Sequence, residues 1–151
     1  MQVAPRRKSV VRLRSIVILV VGNRLTLPHE DMMSITIYHN PRCSKSRKTL
    51  ELLQESGVNP TIIEYLNTPP PAATTLRNAA LIGLPVAGLL RRGEEEFRTA
   101  DDLPDLDDDA ALAAWLEAHP KVIERPIVVD DENDRAVIGR PPENALMLLD
   151  Q

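Results

Sequence analysis

A strand, a helix and a second strand follow one another directly in this chain of 151 residues. Residues 35–39 are β-type, and residues 44–56 have the pattern of a helix that ends before Gly57. Residues 61–65 are again β-type. Because a helix that crosses between consecutive strands makes them parallel and packs across them, the sequence predicts an α/β fold.

Two further helices are predicted after the second strand. Residues 68–71 contain three prolines and suit a helix start, and the apolar stripe that follows ends near Gly83. The acidic stretch of residues 101–109 is predicted to be the solvated start of the next helix, because apolar residues then recur at helical spacing. His119-Pro120 should end that helix.

A hairpin and a last helix complete the pattern. Residues 126–129 and 135–138 are β-type runs joined by a polar turn, and residues 141–149 open with two prolines and predict a helix. This order resembles that of a thioredoxin-like domain. We therefore predict a mixed four-stranded sheet with a helical insertion between a β-α-β half and a β-β-α half.

Residues 1–33 are predicted to be an N-terminal extension of the domain formed by residues 34–151. Their apolar run, residues 16–21, is too short for a secretory signal core or a membrane span. Residues 32–34, Met-Met-Ser, precede the first convincing strand and would make a natural start. We expect the extension to be disordered or to result from an upstream start.

The charge distribution argues against nucleic-acid and membrane binding. Residues 1–32 hold six of the 18 Lys and Arg residues but two of the 22 acidic ones, which leaves 12 basic and 20 acidic residues in the remainder. A surface of that sign repels phosphate backbones and anionic membranes. An anionic ligand must therefore be bound by a local basic pocket.

Cys43 is the only cysteine, so the chain cannot form an internal disulfide. The three histidines are scattered, and with one thiol they do not make a zinc-ligand spacing. We predict no metal site and no bound cofactor. Redox chemistry at Cys43 would need a second sulfur from another molecule.

Cys43 lies after the first strand, at the predicted start of a helix. Unpaired backbone N–H groups and the helix dipole favour a thiolate there, which is the nucleophilic form of the side chain. Arg42, Lys45 and Arg47 add positive charge. A free cysteine is often a small buried apolar residue instead, but the polar neighbours favour a reactive thiol.

Two cysteine motifs are excluded by the residues that follow Cys43. A phosphatase-like anion loop needs an arginine six residues after its cysteine, where this chain has Thr49. A thioredoxin-type Cys-x-x-Cys motif needs a second cysteine where this chain has Ser46.

Four blocks of sequence carry a family resemblance. They are residues 39–47 (His-Asn-Pro-Arg-Cys-Ser-Lys-Ser-Arg), 89–91 (Leu-Leu-Arg), 124–129 (Glu-Arg-Pro-Ile-Val-Val) and 139–143 (Gly-Arg-Pro-Pro-Glu). In this order they resemble the glutaredoxin-coupled arsenate reductase (ArsC) family, over about residues 34–150. The cysteine segment and the last block are more similar to its housekeeping branch than to the resistance-operon enzymes.

The resemblance implies an oxidoreductase that turns arsenate into arsenite. The thiolate would attack arsenate and expel water, and glutathione as co-substrate, followed by glutaredoxin, would resolve the arsenic–sulfur adduct. The implied site comprises the nucleophile, three anion-binding arginines and two residues around the thiolate: Cys43, Arg91, Arg125, Arg140, His39 and Ser46.

The chemistry of these residue types suits the implied roles. Guanidinium groups bind tetrahedral oxyanions through paired, charge-assisted hydrogen bonds. Ser46 shares a helix face with Cys43 and could donate a hydrogen bond to the thiolate, and His39 could do likewise or assist proton transfer. For either residue the alternative is a purely structural role. Because thioredoxin-like domains carry a cis-proline at the start of the third strand, Pro126 is expected to be cis.

Two other functions use much of the same fold. Spx-type regulators contact RNA polymerase, although those that sense redox state use a Cys-x-x-Cys motif that Ser46 removes. Another oxyanion, or thiol exchange on glutathionylated proteins, would use a similar site. The three matching arginines favour the enzyme, and the need for a reducing thiol pool predicts a cytoplasmic location.

Overall fold

The computed structural model describes residues 33–150 and the backbone of four short strands before them. The chain divides into two units, residues 1–32 and 33–151. In the first unit, Arg12–Leu13 pairs with Ile16–Val17 and Leu19–Val21 pairs with Arg24–Thr26, both antiparallel. The remainder of the predicted extension lies outside the described residues.

The second unit contains the predicted mixed four-stranded sheet. Its strands are β1 (Ile35–His39), β2 (Thr61–Glu64), β3 (Ile127–Asp130) and β4 (Arg135–Ile138), in the order β2-β1-β3-β4. Strands β1 and β2 are parallel, as the single crossover helix requires, and the other two pairs are antiparallel. The fold-class prediction is confirmed.

Helix α1 (Ser44–Glu55) crosses between β1 and β2. It ends where Gly57 takes a left-handed conformation at φ +82°, which costs glycine little. Its buried Leu53 packs with Ile37 and Val128 on one face of the sheet. The helix and its predicted end are confirmed.

The helical insertion covers the opposite face of the sheet. It contains α2 (Ala72–Ile82), α3 (Glu95–Arg98) and α4 (Asp109–Ala118), with 3₁₀ turns at Val86–Leu89 and Pro120–Val122. The Asp108 carboxylate caps α4 by accepting a hydrogen bond from the backbone N–H of Ala111 at 3.0 Å, as expected of an acidic helix start. No helix within residues 33–150 is long and apolar enough to cross a membrane.

The β-β-α half ends in a 3₁₀ helix, Pro142–Leu148, where the sequence pattern predicts an α-helix. The backbone N–H of Asn144 bonds to the carbonyl of Pro141, and the Asn144 amide donates to the carbonyls of Ile138 and Arg140. These bonds tie the first turn to the end of β4. The Arg125–Pro126 peptide is cis, as predicted, and so is Arg140–Pro141.

Candidate active site

Cys43 occupies the N-cap position of α1, with an extended backbone at φ −92° and ψ 120°. Strand β1 ends in a turn in which the N–H of Cys43 donates to the carbonyl of Asn40 at 3.0 Å. The Asn40 side-chain oxygen accepts a hydrogen bond from the N–H of Arg42 at 2.9 Å, which fixes the turn. The half-buried thiol is thereby held at the mouth of the helix.

The surroundings of Cys43 favour its ionised form. Burial raises the pKa of the thiol, but the backbone N–H groups of Ser46 and Lys45 and the guanidinium of Arg125 outweigh burial and lower it below its ordinary value. These groups stabilise the negative charge of the thiolate and so favour the ionised form of the side chain. The site therefore presents a thiolate nucleophile more readily than an isolated cysteine does.

Ser46 and His39 form a buried pair beneath the thiol. The Ser46 hydroxyl lies 2.7 Å from Nδ1 of His39 and accepts a hydrogen bond from the backbone N–H of Asn40 at 3.0 Å. The side-chain bonds of Ser46 thus go to the turn, while its backbone N–H supports Cys43. Burial lowers the pKa of His39, which favours a neutral ring.

Backbone pairing brings Arg91 beside Arg125. The N–H of Arg91 donates to the carbonyl of Val122 at 2.7 Å, and the N–H of Glu124 donates to the carbonyl of Leu89 at 2.7 Å. The helical insertion therefore returns to the sheet immediately before β3.

A second close approach brings Arg140 beside Arg125. The N–H of Gly139 donates to the carbonyl of Pro126 at 2.8 Å. A Cβ atom at Gly139 would lie 2.7 Å from Oγ1 of Thr49 on α1 and 2.8 Å from Cγ of Pro126. Only glycine allows the end of β4 to approach α1 this closely.

The guanidinium group of Arg140 contacts the sulfur, and Arg125 is hydrogen-bonded to Arg140. Nη2 of Arg140 lies 3.6 Å from Sγ of Cys43, and Nε of Arg140 donates to the carbonyl of Arg125 at 2.7 Å. The Arg125 guanidinium lowers the pKa of the thiol, and among residues 33–150 its buried Nε has no hydrogen-bond partner. Three residues that are distant in sequence thus share one pocket.

Two glutamates that the sequence analysis gave no role lie among the arginines. The Glu94 carboxylate pairs with Arg91 and lies 3.6 Å from Nη1 of Arg125. The Glu124 carboxylate lies 3.1 Å from Nε of Arg140 and 3.9 Å from Nε of Arg91. Arg91 therefore joins the cluster through both carboxylates. Their sequence signals were the i,i+3 spacing of Arg91 and Glu94 and the position of Glu124 before Arg125.

An open groove lies next to the cluster of arginines and glutamates. The groove has a volume of about 420 Å³ and is bordered by Glu124, Arg140, Asn144 and Met147 together with apolar residues of β4. Among residues 33–150, no group of three His, Cys, Asp or Glu side chains could hold a metal ion.

Comparisons with known proteins match the same segment. The sequence model of the ArsC family matches residues 38–148. The chain is 45% identical over 117 residues to the uncharacterized protein YfgD of Escherichia coli K12, covering 76% of this chain and 96% of that one. It is 42% identical over 118 residues to an arsenate reductase of the same organism, covering 78% and 82%.

A solved structure supports the match in three dimensions. An arsenate reductase from Vibrio cholerae superimposes with a TM-score of 0.67 at 44% identity, covering 76% of this chain and 97% of that chain. The resemblance found in the sequence is therefore confirmed at the level of family and fold. The chain belongs to the ArsC family.

Proposed function

We propose that this protein is an arsenate reductase that uses the Cys43 thiolate as its nucleophile. The observation that carries the proposal is the contact of the Arg140 guanidinium, which is itself hydrogen-bonded to Arg125, with a sulfur at a helix N-terminus. The arginines neutralise the charge of an oxyanion that would otherwise repel a thiolate. Relatives named arsenate reductase support the choice of substrate.

The chemical step requires two thiols. The Cys43 sulfur bonds to the arsenic of arsenate, one arsenic–oxygen bond breaks, and that oxygen takes up protons and leaves as water. The second thiol, as its thiolate, then attacks the Cys43 sulfur, and the two sulfurs become joined in a disulfide. The sulfur–arsenic bond breaks and its electron pair stays on arsenic, so As(V) gains two electrons and leaves as arsenite. The net reaction converts arsenate and two thiols to arsenite, one disulfide and water.

The second thiol comes from outside the chain, because Cys43 has no other cysteine to pair with. We assign this role to glutathione, whose mixed disulfide with Cys43 glutaredoxin would then reduce. The groove bordered by Glu124 and by Arg140, which contacts the Cys43 sulfur, offers an approach for such a thiol. This chemistry needs a reduced thiol pool, so we also propose a cytoplasmic location.

Coupled turnover tests the proposal. Purified protein is assayed for arsenite formation from arsenate with glutathione and glutaredoxin, beside Cys43→Ser and the control Ser44→Ala, which changes an exposed neighbour on the same helix. We expect turnover by the wild type and the control and none by Cys43→Ser. Turnover that survives in Cys43→Ser would contradict the mechanism, and copurification with RNA polymerase without turnover would favour a regulator.

A further inference from the structure

The two glutamates in the arginine cluster are held in different ways. Glu124 is anchored by the main chain: its Oε1 accepts a hydrogen bond from the backbone N–H of Arg125 at 3.0 Å, and its own N–H bonds to Leu89. The Glu94 carboxylate, within residues 33–150, has ion pairs only with Arg91 and Arg125. Glu124 is therefore fixed by the backbone, while Glu94 is held by the guanidinium groups that would also bind an oxyanion.

The position of Glu94 allows it to leave. It lies in a turn directly before the four-residue helix α3, and its side chain is 29% exposed, whereas Arg125 is 17% exposed. Its carboxylate can rotate into solvent without breaking a main-chain hydrogen bond of its own. An oxyanion that bridges Arg91 and Arg125 would take over the same guanidinium donors.

The formal charges agree with an exchange. When Cys43 is ionised, three guanidinium groups face two carboxylates and one thiolate, which leaves no net positive charge to attract an anion. Release of Glu94 leaves one positive charge and frees two guanidinium groups for the ligand. Binding is therefore a competition between the carboxylate and the incoming oxyanion for one set of donors.

We infer that Glu94 is an internal competitor that sets the affinity of the oxyanion site, and that Glu124 is a positioning residue that orients Arg140. The inference rests on the proposed anion site. It identifies the ligand class as tetrahedral oxyanions with enough negative charge to displace a carboxylate from two arginines. Weakly charged ligands would leave Glu94 in place.

Opposite effects of two conservative substitutions test the inference. Each protein is titrated calorimetrically with sodium arsenate and with sodium phosphate, in the absence of any external thiol. Removing the charge in Glu94→Gln should tighten binding by roughly three- to tenfold, as expected for loss of a partly exposed competing ion pair. Glu124→Gln should weaken binding, because Arg140 loses its carboxylate partner.

Glu95→Gln is the matched control. Glu95 is the exposed neighbour of Glu94 and has no ion pair with the three arginines. The Glu95→Gln protein should therefore bind arsenate and phosphate as tightly as the wild type does. Glu94→Ala should act in the same direction as Glu94→Gln, and circular dichroism checks that both are folded. In turnover, Glu94→Gln should lower KM more than it changes kcat.

The outcomes separate this inference from the proposed function. Equal or weaker binding by both folded Glu94 variants, with binding by the wild type, would overturn the competitor role and leave the reductase proposal standing. Tighter binding by Glu94→Gln without arsenate turnover by any variant would support the competitor role and remove the reductase. Absence of anion binding in every protein would overturn both.

Discussion

The two halves of the candidate site are assembled by different means. The thiolate half comes from one continuous segment, residues 39–47, in which the end of a strand, a turn and the start of a helix supply the hydrogen bonds of Ser46 and the position of Cys43. The anion half is built from Arg91, Arg125 and Arg140, which meet only because the insertion and the hairpin return to the same place. Local geometry thus produces the nucleophile, and tertiary structure produces the charge that supports it.

Among changes that leave Cys43 in place, the largest expected effect is that of Arg125→Ala, which removes the charge by which the anion half lowers the pKa of the thiol. Because Arg125 lowers the pKa of the thiol and pairs with Glu94, its loss should lower kcat/KM for arsenate by roughly 10²–10³, as for other oxyanion-stabilising donors. The pKa of Cys43 should rise, since a stabilising cation is lost. The pH profile of Cys43 alkylation by iodoacetamide should therefore move to higher pH.

The control for this change is Arg92→Ala, at an exposed neighbour of Arg91. It should leave both kcat/KM and the alkylation profile at wild-type values. If Arg125→Ala left the alkylation profile unchanged, the pKa of Cys43 would not depend on Arg125. The expected electrostatic coupling between the two halves of the site would then be wrong.

Gly139→Ala tests the fit between the two halves. A new Cβ atom would lie within 3 Å of Oγ1 of Thr49 and Cγ of Pro126, so the end of β4 must move away from α1. We expect the free energy of unfolding to fall by about 1–3 kcal/mol, as for other overpacked sites. Arg140 follows Gly139 directly, so arsenate turnover should fall as well. Urea unfolding and the coupled assay measure the two effects.

Gly93→Ala is the matched control, because a Cβ atom there meets no atom within 4 Å. Its unfolding midpoint should equal that of the wild type. A Gly139→Ala protein that is as stable and active as the wild type would show that the approach of β4 to α1 is looser than these distances indicate.

The continuous segment could be predicted from sequence because its physics is local. The Asn-Pro turn and the helical pattern from residue 44 together placed Cys43 at a helix N-terminus, where the structure has it. The parallel pairing of β1 and β2 was predicted from the crossover helix. The hydrogen bonds of the Ser46 hydroxyl were harder to predict from the sequence, because its choice of partner depends on the side-chain geometry of His39.

The arginine half could be predicted only through resemblance. Spacing along the chain gives no reason for Arg91 to lie near Arg125, since that depends on the pairing of residues 89–91 with 122–124. Glu94 and Glu124 were missed because an acidic residue beside an arginine is most often a surface ion pair of little consequence. Their importance follows from sharing guanidinium groups, which is a property of the folded state.

The smallest effect on chemistry should come from Ser46→Ala, which alters only the thiolate half. Its hydroxyl serves the turn, and its absence leaves the buried N–H of Asn40 without that acceptor. We expect a loss of about 1–2 kcal/mol in the free energy of unfolding. The pKa of Cys43 should stay close to that of the wild type, since the Ser46 group that lowers it is the backbone N–H, which alanine retains.

Comparison with Ser44→Ala, at an exposed serine in the same turn of α1, separates the two roles of Ser46. Ser44→Ala should match the wild type in both stability and alkylation. If the Cys43 alkylation profile of Ser46→Ala moved as far as that of Arg125→Ala, the hydroxyl would be supporting the thiolate directly. An unchanged profile with reduced stability would instead show that the Ser46 hydroxyl holds the turn and is not needed to lower the pKa of Cys43.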